Sequence, residues 1–332
     1  MVRTARNVRA SGDAARLIDL AARHSVGTIN LAAKQDESDE VPSGVVFYQS
    51  RIAPIAPGYE AFDALGEAVG AAHRRGLRLR AWVPQFHDAA AADAHPAWRM
   101  QALVDGRVAP FAGDGGREIF LDPLNPEVQA YQRSLLVEIV RTHEVDAIVL
   151  DWLRFDDFAM DLGAATRARY AAAFGYDPVD IDFKGDNPRR AQWNRWRAAG
   201  IGAYVASVRA ALDAVRPGVE LGAYILPPEF VETGQDAAAF ARHVGLLSPM
   251  AYFRDWGYSP DWVVRNVVPQ TVQKAAGTAV VPVLDHDWDD AAYRKIVPGL
   301  RRVVPAITTL SWFAYGAWTE AKLARIAGLR KL

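Results

Sequence analysis

The sequence predicts an α/β protein with a (β/α)8 barrel fold, also called a TIM barrel. Its 332 residues contain eight short strand-like runs, and amphipathic helical segments alternate with them. Eight strand–helix units fit this length, and no Gly-x-Gly-x-x-Gly follows the first run, which disfavours a doubly wound open sheet. No linker or composition shift marks a boundary, so we expect a single domain over residues 1–332.

Helical segments separate most of the predicted strands. The clearest helix spans Asn125–Thr142, where Asn125 suits the N-cap, Pro126 the first turn and Glu127 the positive end of the helix dipole. The predicted strands are Arg3–Val8, Val26–Lys34, Leu77–Phe86, Asp146–Phe155, Glu220–Pro227, Val244–Phe253, Ala279–Asp287 and Ile307–Gly316. The other predicted helices are Asp13–His24, Tyr59–Arg75, Arg190–Val215, Asp261–Ala275, Asp289–Val297 and Thr319–Gly328.

Three segments are longer than a simple strand–helix connection requires. They are Asp36–Pro57, which contains the hairpin-like element Val45–Gln49, then His87–Pro123 and Phe158–Arg189. Long loops that follow barrel strands shape the substrate cleft of barrel enzymes. We therefore expect long βα-loop insertions at the C-terminal face of the barrel.

The composition excludes several classes of function. With 38 basic and 39 acidic residues the formal net charge is −1, so no basic surface for nucleic acid is predicted. The chain has no cysteine, which excludes a disulfide, a thiol nucleophile and a cysteine-bound metal. No apolar run reaches the roughly 18 residues of a membrane-spanning helix, and no apolar signal segment opens the chain. We expect a monomer that needs no cofactor.

The fourth predicted strand carries the strongest functional signal. Its apolar run, Ala147 to Leu150, is followed at once by Asp151, and Trp152 and Arg154 come next. The run is too short for a helix and is typical of a fully buried strand. A carboxylate at the end of such a strand is held rigidly and faces a cleft. Asp151 is therefore the first candidate for a catalytic acid.

Acidic and aromatic residues recur at the other predicted strand ends. Glycoside hydrolysis needs one protonated and one ionised carboxyl group, and aromatic rings pack against the apolar C–H faces of sugars. The candidate catalytic residues are Asp151, its favoured partner Asp255, and the alternates Glu229 and Asp287. The candidate substrate-binding residues are Asn30, Trp82, Gln85, His87, Arg154, Tyr252, Trp256, Asp285 and Trp312.

A structural interpretation stands beside each functional one. Asp151 can serve as a salt-bridge partner of Arg154, and Trp312 can belong to the barrel core. Either Asp285 or Asp287 can cap the helix that follows them. Surface or capping roles are the corresponding alternatives for Asp255, Glu229 and His87.

Motifs of other enzyme classes are missing. The chain has no His-Glu-x-x-His and no Gly-x-Ser-x-Gly, and its glycine-rich Gly113–Gly116 lacks the Lys-Ser/Thr of a phosphate-binding loop. No metal site is predicted, although Asp285, His286 and Asp287 are ligand types that a metal-dependent deacetylase would use. That deacetylase is a third and weaker hypothesis.

Several motifs in order resemble one known family. Ile29-Asn-Leu31, Val45 to Pro54 and Ala81-Trp-Val-Pro-Gln85 resemble the C-terminal glycoside hydrolase domain of the poly-β-1,6-N-acetylglucosamine deacetylase/hydrolase proteins of biofilm systems. Leu121 to Val128, Val145 to Phe155 and Ser248 to Tyr252 resemble the broader group of glycoside-hydrolase-like bacterial barrels. The resemblance implies a periplasmic or secreted barrel that cleaves an extracellular polysaccharide, often one of amino sugars, with Asp151 as a catalytic acid.

The chain departs from two family patterns at the fourth strand. Where the biofilm hydrolases have His-Asp-Asp, this chain has Asp151-Trp152-Leu153. In the chitinase pattern Asp-Gly-x-Asp-x-Asp-x-Glu, Leu153 stands in place of the catalytic Glu. A second catalytic acid must therefore come from another strand.

The leading hypothesis is a glycoside hydrolase that cuts within a bacterial exopolysaccharide resembling poly-N-acetylglucosamine. The alternative is a non-catalytic barrel that binds polysaccharide for export or adhesion. Such a barrel would keep the aromatic residues but lack a second carboxyl group within reach of Asp151.

Overall fold

The computed structural model of the protein describes residues 1–286 and 290–329, and its core is a parallel sheet surrounded by helices. Six strands pair in parallel in the order β1-β2-β5-β6-β7-β8, while β9 and β10 form a second parallel pair. The strands are β1 Thr28–Ala32, β2 Arg78–Pro84, β3 Gln101–Val104, β4 Arg107–Pro110, β5 Ala147–Asp151, β6 Glu220–Ile225, β7 Leu246–Pro249, β8 Ala279–Val280, β9 Val283–Asp285 and β10 Ser311–Phe313.

Backbone contacts join the two parallel sheets into a ring. A parallel bridge between Met250 and Val283 connects β7 to β9. On the other side, Val2 forms a parallel bridge with Leu31 of β1, and the Met1 nitrogen donates to the Trp312 carbonyl of β10 at 2.5 Å. The first residues of the chain thus fill the gap between the last strand and β1, as a barrel requires.

The helices alternate with these strands and cover the outside of the sheet. They are α1 Thr4–Asn7, α2 Asp13–Arg23, α3 Ala64–Arg74, α4 Ala89–Ala94, α5 Pro126–Thr142, α6 Ala164–Phe174, α7 Pro188–Val215, α8 Ala237–Ala241, α9 Pro260–Trp262, α10 Val268–Ala275, α11 Asp290–Val303 and α12 Glu320–Leu329. A π-helical turn, Val263–Val267, connects α9 to α10. The predicted cap of α5 is confirmed, because the Asn125 side chain accepts the Glu127 amide at 2.9 Å.

The prediction of a strand over Arg3–Val8 is wrong. Only Val2 lies beside β1, and Thr4–Asn7 forms a single helical turn. The Thr4 hydroxyl donates to the Ala32 carbonyl at 2.5 Å, and the Val8 amide donates to the Thr4 carbonyl at 2.9 Å. These bonds turn the chain away from β1, so that Val2 alone pairs with that strand.

Two of the predicted insertions contain structure of their own. The segment His87–Pro123 includes the antiparallel hairpin of β3 and β4. The segment Phe158–Arg189 contains α6 and packs a small apolar cluster of its own against α7. Both belong to the loops that follow barrel strands, so they stand at the C-terminal face.

The sequence shows no continuous apolar run of membrane-spanning length, but helix α7 is long and apolar enough to cross a membrane by length and composition alone. Of its most apolar window, 33% is buried inside the protein. It packs along α5. Its buried face includes Trp193, Arg197 and Tyr204.

Candidate active site

A cleft of about 270 Å³ opens at the C-terminal ends of the barrel strands. Aromatic and acidic side chains make up most of its lining. The acidic residues that line the cleft are Asp36, Glu37, Glu118, Asp151 and Asp255, and the basic one is Arg154. The aromatic residues that line it are Trp82, Trp152, Tyr252, Trp256, Phe313 and Tyr315.

Asp151 is the last residue of β5 and lies at the floor of the cleft, 4% exposed. The Trp82 indole nitrogen donates to its Oδ2 at 2.8 Å, and the Trp152 amide donates to its Oδ1 at 2.7 Å. Burial raises the pKa of Asp151 to about 7, although both hydrogen bonds favour the ionised form. A carboxyl group with that pKa both holds and releases a proton near neutral pH.

Trp152 fixes the turn that follows β5. Its φ of 51° lies in the left-handed region, which is costly for a residue with a bulky side chain and recurs at functional sites. The indole stacks on the His87 ring, and the two ring centroids are 4.4 Å apart. The Arg154 guanidinium forms a cation–π contact with the indole, 4.4 Å from its centroid. These contacts hold the Trp152 amide against the Asp151 carboxylate.

Asp255 approaches the cleft from the loop after β7. It is exposed, and its amide donates to the Tyr252 carbonyl at 3.1 Å in a tight turn. Its charge contributes to raising the pKa of Tyr315, after burial of that tyrosine. The structure therefore brings the two acids favoured by the sequence, Asp151 and Asp255, into one cleft in contrasting environments, one buried and one open to solvent.

Three acidic residues of the cleft were missed by sequence reasoning. Asp36 and Glu37 lie four and five residues after the end of β1, and both form salt bridges of 2.7 Å with the buried Arg3. Burial raises the pKa of Asp36 to about 6 against the opposing effect of Arg3. The sequence feature that could have indicated Asp36 and Glu37 was their position shortly after a predicted strand. Glu118 had no such signal, because it reaches the cleft only through the fold of the insertion after β2.

Trp82 supports the Asp151 carboxylate, whereas the sequence predicts that it binds substrate. Only 2% of the residue is exposed, and its N–H group is committed to Asp151. Tyr224 and Phe313 meet the ring edge-on at 6.2 and 6.1 Å. The ring is thus fixed within the barrel interior and positions the carboxylate.

Gln85 and His87 lie behind the cleft and do not line it. Both are fully buried; Gln85 accepts the Tyr204 hydroxyl at 2.5 Å, and the His87 Nδ1 is hydrogen-bonded to the Asp36 carbonyl. Burial lowers the pKa of His87. Their contacts support the walls of the cleft, so the prediction that they bind substrate directly does not fit their positions.

Asn30 and Trp312 also lie away from the cleft. Both line a different cavity of about 420 Å³ near the N-terminal ends of the strands, where Arg78 and Arg80 are found. The Trp312 ring packs edge-on against Tyr293 of α11 at 4.9 Å, on the outside of the barrel. Trp312 therefore packs in the apolar layer between the strands and the outer helices, which is neither the interior of the barrel nor a sugar platform at the cleft.

Two further predicted residues, Glu229 and Asp285, do not line the cleft. The Glu229 carboxylate accepts the Trp262 indole N–H at 2.8 Å, outside the cleft. Asp285 is 2% exposed at the end of β9, paired in register with Phe313. Asp287 lies outside the described residues. Within residues 1–286 and 290–329, no group of three or more His, Asp or Glu side chains is arranged to hold a metal ion.

Comparisons with known proteins agree with this architecture. The Bordetella bronchiseptica PgaB (BpsB) glycoside hydrolase domain superposes with a TM-score of 0.73 at 16% identity, covering 96% of this chain and 91% of that domain. A β-galactosidase from Marinomonas ef1 superposes with a TM-score of 0.69 at 14% identity, covering 96% of this chain and 57% of that one. At these identities the likeness shows the fold alone, and it confirms the predicted barrel class.

Two curated relatives match shorter stretches. Glycosyl hydrolase DigH of Escherichia coli K12 is 23% identical over 205 residues, 54% of this chain and 41% of DigH. An S-layer-related protein of Niallia circulans is 25% identical over 154 residues, 40% of this chain and 10% of that protein. The chain thus spans less than half the length of either relative.

One family model covers most of the chain. The model described as glycosyl hydrolase-like 10 matches residues 16–296, a range that includes β1, β5 and the loop carrying Asp255. The resemblance to glycoside-hydrolase-like barrels predicted from the motifs is confirmed by this match. The chain belongs to the glycosyl hydrolase-like 10 family.

Proposed function

We propose that the protein is a glycoside hydrolase that cleaves within the chains of a bacterial exopolysaccharide containing amino sugars. The observation that carries the proposal is Asp151: a buried carboxyl group with a pKa of about 7, held by two hydrogen bonds on the floor of a cleft. A glycosidase needs an acid that is still protonated at neutral pH. A polymer of this kind lies outside the cytoplasm, so we place the protein in the periplasm or outside the cell.

In the proposed reaction Asp151 is the general acid. Its proton passes to the glycosidic oxygen while the bond from that oxygen to the anomeric carbon breaks. Asp255, an exposed residue of the same cleft, is the second carboxyl group and faces the developing positive charge on the sugar. It acts either as the base that activates water or as the nucleophile that attacks the anomeric carbon. The anomer of the first product, followed by NMR, distinguishes these two roles.

The walls of the cleft fit a sugar chain. Tyr252 and Trp256 stack at 5.8 Å with an angle of 18° between their planes, and they present an aromatic surface beside Asp151. Such surfaces pack against the C–H faces of pyranose rings, while Arg154 and the acids around the opening supply hydrogen-bonding groups for hydroxyls and amides. A non-catalytic binding barrel has no need of further acids beside Asp151, and this cleft contains four.

A panel of purified polysaccharides tests the proposal. Wild-type protein is incubated with poly-β-1,6-N-acetylglucosamine, its partly deacetylated form, and polymers without amino sugars, and the products are sized by mass spectrometry. We expect oligosaccharides of mixed length from an amino-sugar polymer and none from the Asp151→Asn variant. Release of monosaccharide alone would contradict cleavage within the chain. Binding of a polymer without any release would favour the non-catalytic alternative.

The Trp82 hydrogen bond predicts a shift in pH dependence. Trp82→Phe keeps a ring but removes the N–H group that stabilises the ionised form of Asp151. The pKa of Asp151 should therefore rise further, and the alkaline limb of kcat/KM, where the acid loses its proton, should move about one unit to higher pH. Rates measured between pH 5 and 10 check this shift.

Tyr224→Phe is the matched control for that experiment. Tyr224 is a buried neighbour of Trp82, and its hydroxyl has no hydrogen-bond partner within the described part of the chain. Removal of the Tyr224 hydroxyl should leave the alkaline limb of kcat/KM closer to its wild-type position than Trp82→Phe does. A limb that moves to lower pH in Trp82→Phe would contradict the assignment of Asp151 as the acid.

A further inference from the structure

An aromatic surface continues from the cleft to the outside of the protein. Tyr252 and Trp256 line the cleft, and Trp256 meets Trp262 at 6.0 Å with an interplanar angle of 71°. Trp262 in turn stacks flat on Tyr258, with centroids 4.4 Å apart and planes only 5° from parallel. Tyr258 and Trp262 do not belong to the cleft lining. The line of rings therefore extends beyond the place where Asp151 acts.

The outer end of this line is rigid. Trp262 is 6% exposed, and its indole N–H donates to the Glu229 carboxylate at 2.8 Å. The Tyr258 amide donates to the Phe253 carbonyl at 2.7 Å, which closes the turn that brings the tyrosine over Trp262. The carboxylate of Glu229 also lies near enough to Tyr258 to help raise its pKa, after desolvation. Glu229 thus holds the ring pair instead of serving the chemistry.

Tyr258 nevertheless remains open to solvent. It is 39% exposed, although one face of its ring is covered by Trp262. The stack on Trp262 and the hydrogen bond to Phe253 hold this exposed ring in place. A rigid aromatic face offers contact area at low cost in conformational entropy.

We propose that the outer face of Tyr258 is a separate sugar-binding subsite, which stacks one pyranose ring of a polysaccharide chain whose neighbouring residues occupy the cleft. The inference rests on the proposed function and extends it: the protein would select long chains over short ones. Trp262 and Glu229 are positioning residues of this subsite. The stacked pair explains why Glu229 lies at the strand ends without reaching the cleft.

Binding without turnover tests the subsite. In the Asp151→Asn background, affinity for immobilised poly-β-1,6-N-acetylglucosamine and for its disaccharide is compared among variants. Tyr258→Ala should weaken polymer binding about tenfold, the effect of losing one stacking contact, and should change disaccharide binding less than twofold. Tyr258→Phe, which keeps the ring, should restore most of the polymer affinity. Val303→Ala, an exposed apolar side chain on α11, is the matched surface control.

The outcomes separate this inference from the proposed function. Equal polymer affinity in Tyr258→Ala and its parent would overturn the subsite while leaving catalysis at Asp151 intact. Equal losses for polymer and disaccharide would also overturn it, because they would place Tyr258 within the cleft or in the general fold. If the Asp151→Asn protein binds no polymer and wild type cleaves none, the proposed function fails and the subsite with it.

Discussion

Asp151→Asn is expected to lower kcat on the cleaved polysaccharide about 10³-fold, the scale of losing a general acid. The amide cannot donate a proton to the glycosidic oxygen as the bond breaks, whereas its size and its place on the barrel floor are retained. KM should change far less than kcat, because Asp151 acts mainly in the transition state. Initial rates of reducing-end formation at several polymer concentrations measure both constants.

Asp157→Asn is the matched control for this prediction. Asp157 is exposed in the same segment, and among the residues that the structure describes its carboxylate accepts one hydrogen bond, from the Ala159 amide at 2.8 Å, which asparagine can keep. That variant should retain wild-type rates. Undiminished cleavage by Asp151→Asn would remove Asp151 from the mechanism and with it the proposed assignment of acid and partner.

The fold was predictable from patterns that are local in the sequence. The run Ala147–Asp151 is apolar, short and ends in an acid, and it forms β5 with that acid at its C-terminal end. Capping by Asn125 likewise depends only on neighbouring residues. The first barrel strand was harder to predict. Only one residue, Val2, bridges to β1 there, and a single residue produces no alternation of apolar and polar side chains that could be recognised.

The candidate site was less predictable because side-chain direction depends on register. Successive residues of a strand point to opposite faces, so Phe313 lines the cleft while its neighbour Trp312 packs against Tyr293 on the outside. A one-residue uncertainty in β10 is enough to exchange them. Asn30 lies two residues before the end of β1, which places it a layer below the opening of the barrel.

Residues from long loops could not be placed at all from the sequence. Glu118 enters the cleft because the insertion after β2 folds back across the barrel, with a bridge between His87 and Phe120. That return is a tertiary contact with no local signature. Asp255 was predictable only as an acid near a strand end; its position in the same cleft as Asp151 depends on the turn at Tyr252.

The largest expected effect on stability belongs to a buried ion pair beneath the cleft. The side chains of Lys34 and Asp88 are both 0% exposed, and their charged atoms lie 2.6 Å apart. Lys34 also donates to the Pro84 carbonyl at 3.0 Å and to the Gln132 side chain at 2.9 Å. The pair joins the end of β1 to the N-cap of α4 and so ties the insertion after β2 to the barrel.

Lys34→Met should lower the free energy of unfolding by about 3–5 kcal/mol, because it leaves the Asp88 carboxylate buried without its counter-charge. The loss is measured as a fall in the thermal and urea midpoints. Adding Asp88→Asn should recover part of it, since no charge then remains to be buried. Arg23→Met, which breaks a pair with Glu320 that is 61% exposed on both sides, should move the midpoints far less. If Lys34→Met and Arg23→Met lower the free energy of unfolding equally, the buried pair does not stabilise the fold more than an exposed pair does.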